Sequence, residues 1–260
     1  MPAYALLDAH PLSVIIVTAA MLVTPLFLVC TFVFSGASPR RGLALGGVFL
    51  VWGAVMTWVC LAQVPQAFGP AGALIVPLCW LAPSVLLWRC QDWVLADPLS
   101  QRWLVGLQVW RVIGGVFLIE HGRENIPAVF AFPAGIGDLA VGVLALAVLL
   151  LYRRRAQLPH TALVLVLVAG VADFVSAFFF GYFSSAGPAQ LFFPEIRNNT
   201  LLYPTGLIPL FLVPYAIFFH TLSWLSLRRE TSGVTVSAAD AAAAVAAAAA
   251  TDGPAAAEAR

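Results

Sequence analysis

Seven long apolar runs divide this chain, and each is about as long as a helix that crosses a lipid bilayer. A helix that spans hydrocarbon needs about 20 mostly apolar residues at a rise of ~1.5 Å per residue. The runs cover residues 12–34, 43–62, 71–88, 103–120, 127–151, 161–183 and 201–227. They predict an all-α, polytopic integral membrane bundle of about seven transmembrane helices.

The composition excludes a soluble protein, because 62% of the residues are apolar and 10% are charged. A soluble chain keeps a large outer surface in contact with water even when it is folded, and a chain of this size cannot enclose so much apolar area inside it. The expected partner is the lipid bilayer. With a net charge of +1 and no basic patch, we expect no nucleic-acid binding. All 13 basic residues are arginines, so lysine chemistry is excluded.

The arginines between the runs alternate between the two sides of the predicted bundle. Nine follow the first, third, fifth and seventh runs: Arg40, Arg41, Arg89, Arg102, Arg153, Arg154, Arg155, Arg228 and Arg229. Only Arg123 and Arg197 fall in the opposite loops. Because cytoplasmic loops are enriched in basic residues, we expect the N-terminus outside and the C-terminus in the cytoplasm of a bacterial inner membrane.

Two domains are predicted: a transmembrane domain at 1–230 and an alanine-rich, low-complexity cytoplasmic tail at 231–260. The first apolar run is longer than the core of a signal peptide and has no basic residues before it. We therefore interpret it as a retained helix, with the mature chain beginning near Met1.

Three ionisable residues, Arg111, Asp138 and Asp173, lie deep inside predicted spans. A charge there costs about 2.5–3.5 kcal/mol on insertion scales, so such residues face protein and find partners. All three fall at a similar depth on successive helices, and small residues flank both aspartates. We expect a midplane cluster in which the guanidinium bridges the carboxylates, with Gln108 on the same stripe as Arg111.

Two interpretations of this cluster stay open. In the first, a small solute, proton or cation moves past it, since two carboxylates that share one arginine leave a charge of −1. In the second, the protein is a non-transporting sensor or assembly partner, and the three residues are a structural ion triad. No motif of a hydrolase or metalloprotease is present, so enzymatic activity is not favoured.

Polar residues also gather at the predicted outer side, where Glu120, His121, Glu195 and Arg197 suggest an outer vestibule. The alternative is that they are solvated loop ends. No metal site and no cofactor are predicted.

A minor alternative is a b-type haem protein, with His10 and His121 at one end of the bundle and His160 and His220 at the other. Against it, two of these histidines stand beside prolines at helix starts, and no haem attachment motif occurs. A simpler interpretation makes His220 a buried imidazole bonded to Thr221 or Ser223.

The last apolar run contains Pro204, Pro209 and Pro214. Each proline removes a backbone donor and weakens the helical hydrogen-bond ladder. We expect this helix to be bent or broken, and to line an interior path or act as a hinge.

Two stretches resemble an uncharacterised family of bacterial multi-pass, seven-helix membrane proteins. They are QVWRVIGGVFLIEHGRENIPAVFAFPAGIGDLAVG and LLYPTGLIPLFLVPYAIFFHTLSWLSLRR, and the likeness covers roughly residues 105–229. The resemblance implies no activity, cofactor or substrate.

Overall fold

The computed structural model describes residues 8–229, and this part of the chain is helical with no strand. Seven helices are long and apolar enough to cross a membrane, which confirms the predicted fold class. We number them α1 (Pro11–Phe34), α2 (Pro39–Leu61), α3 (Ala71–Val94), α4 (Gln101–His121), α5 (Ala128–Leu151), α6 (His160–Ser184) and α7 (Ile208–Arg229). The predicted tail at 231–260 lies outside the described residues.

The bounds of two helices differ most from the sequence-based expectation. The prediction ended α3 at residue 88, whereas the helix continues to Val94, because polar residues can extend a helix beyond the apolar layer. The prediction began the last span at residue 201, whereas α7 starts at Ile208 and residues 201–206 form turns. Pro204, with its fixed φ and missing N–H, lies within these turns.

Loop contacts define two faces of the bundle. At the face where α1 begins, here called the entry face, the backbone N–H of His10 donates to Glu120 Oε1 at 3.0 Å. At the other face, here called the arginine face, Ser38 N–H donates to Asp97 Oδ2 at 3.0 Å, and Arg102 donates to Tyr152 O at 2.9 Å. The nine arginines lie at or next to this second face, as the alternation predicts; its cytoplasmic orientation stays a prediction.

The last helix, α7, is the central helix of the bundle. In its most apolar 18-residue stretch 78% of the residues are buried, against 22–50% in the other six helices. The helices α1, α2, α3, α4 and α6 all bond to it or pack rings on it. Tyr215 donates its hydroxyl to Thr24 O on α1, and Phe49 on α2 packs edge-on against Tyr215 and Phe218. Gln101 on α4 bonds to Ser223, and Phe174 on α6 packs against His220.

The first turn of α7 is a π-helix, Ile208–Leu212, in which Val213 N–H donates to Ile208 O. The next donor in this register would be residue 214, which is a proline and has no N–H. Two tryptophans complete the backbone bonding from neighbouring helices: Trp80 Nε1 donates to Pro209 O at 2.8 Å, and Trp52 Nε1 donates to Leu210 O at 3.0 Å. Buried carbonyls without partners are costly in hydrocarbon, so these bonds stabilise the irregular turn.

Candidate functional site: a buried ion triad at the base of a cavity

The middle of α4 is not an α-helix but a 3₁₀ segment, Val109–Gly115. In a 3₁₀-helix three residues make one turn, so side chains three apart point to the same side. Gln108, Arg111 and Gly114 have this spacing, and all three are buried. The segment therefore directs Arg111 into the bundle towards α5 and α6.

Arg111 forms ion pairs with both aspartates. Its Nε donates to Asp138 Oδ1 on α5 at 2.8 Å, and its Nη2 donates to Asp173 Oδ2 on α6. Arg111 is fully buried, and the two aspartates are 4% and 8% exposed. The two carboxylates lie close together, because both bond to the same guanidinium. One guanidinium thus joins three helices.

Glycines make room for both carboxylates. A Cβ atom at Gly114 on α4 would overlap the side chain of Asp138, and a Cβ atom at Gly137 on α5 would overlap Asp173 Oδ1. Each aspartate therefore packs directly against the backbone of the helix opposite. Larger residues at these two positions would push the carboxylates away from the guanidinium.

Two fully buried polar atoms of the triad have no hydrogen-bond partner within residues 8–229: Arg111 Nη1 and Asp173 Oδ1. Arg111 Nη1 faces Gly170, where His220 on α7 also meets α6. The guanidinium carbon lies 4.1 Å from the centroid of the Phe174 ring. The triad therefore keeps a buried carboxylate oxygen and a buried guanidinium NH₂ group for a further interaction.

His220 bonds differently from the expectation. Its Nδ1 pairs with the backbone oxygen of Ala216 at 3.0 Å, one turn earlier on α7, instead of with Thr221 or Ser223. Ser223 donates to Gln101 Oε1 at 2.6 Å, and Thr221 donates to Ile217 O at 2.9 Å. Both hydroxyls thus have other partners: Thr221 reaches the carbonyl one turn back on its own helix, and Ser223 reaches a side chain on α4.

A cavity of about 290 Å³ leads from the entry face to the triad. Asp138 and Asp173 line its base, and the exposed Arg197 and Ala186 line its mouth. Between them the wall is mostly apolar and aromatic, with Val76, Trp80, Phe117, Phe130, Phe174, Ala177, Phe178, Gly181, Tyr182, Ile208 and Val213. The two carboxylates are thus reached from one face of the bundle through an apolar passage.

The four residues predicted for an outer vestibule take different places. Glu120 is fully buried and accepts hydrogen bonds from His10 N and from Asn125 Nδ2, the latter at 2.7 Å. His121 Nδ1 pairs with Ile126 O at 2.9 Å. These contacts close the loop after α4 onto the start of α1.

The other two vestibule residues lie in the loop before α7. Arg197 lines the cavity mouth, whereas Glu195 is exposed and does not line the cavity. Of the prolines predicted as a hinge, Pro204 lies in the turns before α7, Pro209 in the π-helix and Pro214 just after it.

Sequence reasoning missed the aromatic wall and the two tryptophan donors. Phe174, Phe178 and Tyr182 recur every four residues on α6, which places them on one helix face. This spacing was visible in the sequence. In an apolar span, however, an aromatic face turned towards lipid has the same pattern as one turned towards a cavity.

The family described as "Domain of unknown function (DUF8737)" matches residues 67–228. The chain belongs to this family. The DUF8737 region contains α3 to α7 apart from the last residue of α7, the whole ion triad, and all of the cavity lining except Pro65 and Gln66. The α1–α2 hairpin lies outside the matched region. No curated protein and no solved structure matches the chain.

Proposed function

We propose that this protein binds a proton or small cation at Arg111, Asp138 and Asp173 and moves it across the membrane. One observation carries the proposal: the two carboxylates that share a buried guanidinium also line a cavity that opens at the entry face. A purely structural ion triad has no need for a route to the surface.

Charge balance favours one bound proton or monovalent cation. With all three side chains ionised, the triad carries a net charge of −1. An uncompensated charge at the centre of a helix costs about 2.5–3.5 kcal/mol on insertion scales. One proton or cation makes the cluster neutral, and the free Asp173 Oδ1 offers it an acceptor. Arg111 holds the carboxylates in place and repels a second cation.

The predicted orientation decides the direction of transport, and the predicted hinge in α7 would allow release of the ion. With the N-terminus outside a bacterial inner membrane, the cavity would open to the outside and the arginine face would meet the cytoplasm. Release on that side requires α7 to move. The missing backbone donors at Pro209 and Pro214 leave its first turns dependent on the tryptophan hydrogen bonds from α2 and α3, so we expect the movement to occur there.

Reconstituted flux tests the proposal. The purified protein in liposomes that contain a pH-sensitive dye should dissipate a proton or cation gradient faster than protein-free liposomes. D138N and D173N should each lower this flux at least tenfold, because each removes one of the two negative charges. D97N makes the same chemical change in the Arg41 ion pair at the arginine face, and it should leave the flux unchanged.

Two results would contradict the proposal: a wild-type flux no faster than that of protein-free liposomes, or equal flux in the wild type and both triad variants. Gel filtration and a melting curve for each variant separate loss of transport from loss of folding. Gradients of protons, Na⁺ and K⁺, each imposed alone, identify the ion that moves.

The second candidate is a non-transporting sensor or assembly partner, and the complete burial of Arg111 supports it. In that case D138N and D173N lower the melting temperature, and the wild type carries no flux. The two measurements together therefore decide between the candidates.

A further inference from the structure

One side of the cavity carries a run of aromatic rings that extends along α6 towards the carboxylates. Phe174, Phe178 and Tyr182 follow one face of α6, and Phe178 stacks on Tyr182 with ring centroids 5.6 Å apart. Trp80 from α3 packs against Phe174 at 6.1 Å and Phe178 at 5.7 Å. The bond from Trp80 Nε1 to Pro209 O fixes the indole in this position.

Small residues on the same helix keep the space beside these rings open. Ala177 and Gly181 follow Asp173 at four-residue intervals, and all three line the cavity. From Asp173 to Tyr182 the helix rises about 13 Å at ~1.5 Å per residue. The passage is therefore long enough for a molecule with a charged end and an apolar body.

This lining suits some cations better than others. A metal ion that leaves water needs several oxygen ligands. Besides the two aspartates, few lining side chains carry oxygen atoms, and two of these, Asn198 and Thr200, already bond to each other. An organic cation can replace part of its hydration with aromatic faces, whose quadrupole attracts positive charge. The cavity volume of about 290 Å³ is just below the range of about 300–1,000 Å³ that is typical of ligand pockets, so the ligand should be small.

We propose that the cavity binds a small organic monocation, an ammonium or guanidinium group with an apolar substituent, whose charge meets Asp138 and Asp173 and whose apolar part lies against Trp80 and Phe178. This inference rests on the proposed function, because it uses the same two carboxylates. It adds the class of substrate.

The organic cation should exchange with a proton, because the three ionised side chains together carry a charge of −1. The triad is neutral with one positive charge added, so the organic cation and the proton compete for one place. Binding of the cation releases one proton from the carboxyl pair to solvent. The charged and titratable groups around that pair are Arg111 on α4 and His220 on α7, with Arg197 at the mouth.

Binding of phenethylammonium to the full-length protein in lipid nanodiscs tests the inference, with 2-phenylethanol as the neutral probe of similar shape. Titration calorimetry in buffers of different ionisation enthalpy should give one bound phenethylammonium and one released proton per chain. The neutral alcohol should bind at least tenfold more weakly. D173N should also weaken phenethylammonium binding at least tenfold.

Three variants that leave the ion triad intact make the test independent of its folding role. F178L should weaken phenethylammonium binding about twofold to fivefold, because it removes one aromatic face. F179L changes the next residue, whose ring is on the outer surface of the bundle, and should have no effect. R197Q should strengthen binding about twofold to threefold at low salt, since it removes a positive charge from the mouth, and this gain should vanish at high salt.

Equal binding of the alcohol and the ammonium, or equal affinities in F178L and F179L, would overturn the inference. Proton flux without any organic cation separates it from the proposed function. If flux depends on the aspartates but phenethylammonium does not bind, the proposed substrate class is wrong and the proposed function still stands. If phenethylammonium binds and no flux is found, the cavity binds an organic cation but the protein does not transport it, and the proposed function is wrong.

Discussion

Arginine and aspartate pair at the centre of this bundle and at both of its faces, in very different surroundings. At the centre, the side chain of Arg111 is fully buried and those of its two partners are 6% exposed. At the faces, Arg41 pairs with the side chain of Asp97, which is 38% exposed, and Arg229 with that of Asp92, which is 95% exposed. The chemistry is the same, but the central pairs are almost completely buried, whereas at the exposed pairs water can replace a lost partner. Polar contacts in the core should therefore be essential, and those at the faces should not.

The largest effect should come from R111M. The variant leaves two buried carboxylates without a counter-charge, and breaking a buried ion pair from one side costs about 3–5 kcal/mol. We expect a loss of this size in the free energy of unfolding, measured by denaturant titration in micelles. R111M combined with D138N and D173N removes the charges together and should recover most of the loss. If R111M unfolds like the wild type, the buried ion pairs do not stabilise the protein more than the exposed ones do.

A smaller loss should follow from G137A, because the added methyl group would overlap Asp173 Oδ1. Overpacking of this kind costs about 1–3 kcal/mol. The matched control is G47A on α2, where a Cβ atom would have no neighbour within 4 Å. Thermal melting should show a lower midpoint for G137A and an unchanged or higher midpoint for G47A. Equal midpoints would mean that Asp173 can move without loss of stability.

Uncharged polar atoms in the core should show the same contrast with those at the surface. W52F removes the donor that reaches Leu210 O in the π-helix. An unpaired buried carbonyl costs about 1–3 kcal/mol, so W52F should be destabilised by roughly that amount. W58F, on the outer surface of the same helix with its residue 64% exposed, should unfold like the wild type. Equal losses in both variants would assign the effect to ring size alone.

The smallest effects should appear at the arginine face. R41Q breaks the pair with Asp97, and partly exposed pairs contribute about 0–1 kcal/mol. R229Q breaks the pair with the almost fully exposed Asp92, and its effect should fall within the error of the measurement. Any loss in R41Q should shrink in high salt, because salt screens exposed charges. If R229Q lost as much stability as R111M, burial would not decide how much an arginine–aspartate pair contributes to the free energy of unfolding.

The sequence allowed prediction of the features that depend on rare residue types. Arg111, Asp138 and Asp173 stand out because charged residues seldom occur within apolar runs, and the need for partners then predicts their contact. The seven helices follow from run length for a similar reason. Both arguments use the cost of polar groups in hydrocarbon, which local sequence reveals.

Features that depend on the direction of an apolar side chain could not be predicted in this way. Phe178 lines the cavity and its neighbour Phe179 faces outward, yet both are phenylalanines in the middle of an apolar helix. The hydrophobic contrast that orients a helix in water is lost when its outer face meets lipid. The 3₁₀ segment around Arg111 was missed because Gly114 and Gly115 are equally compatible with close packing of a regular α-helix.

The position of Arg111 within the chain has a consequence for biogenesis. Among the seven spans, α4 has the lowest mean hydropathy, 1.4. Its first counter-charge, Asp138, is synthesised 27 residues after the arginine. A nascent α4 that entered the bilayer alone would carry an unpaired guanidinium, whereas one that waits for α5 enters with its partner. The ion pair that organises the folded core therefore also favours co-insertion of α4 and α5 as one hairpin during translation.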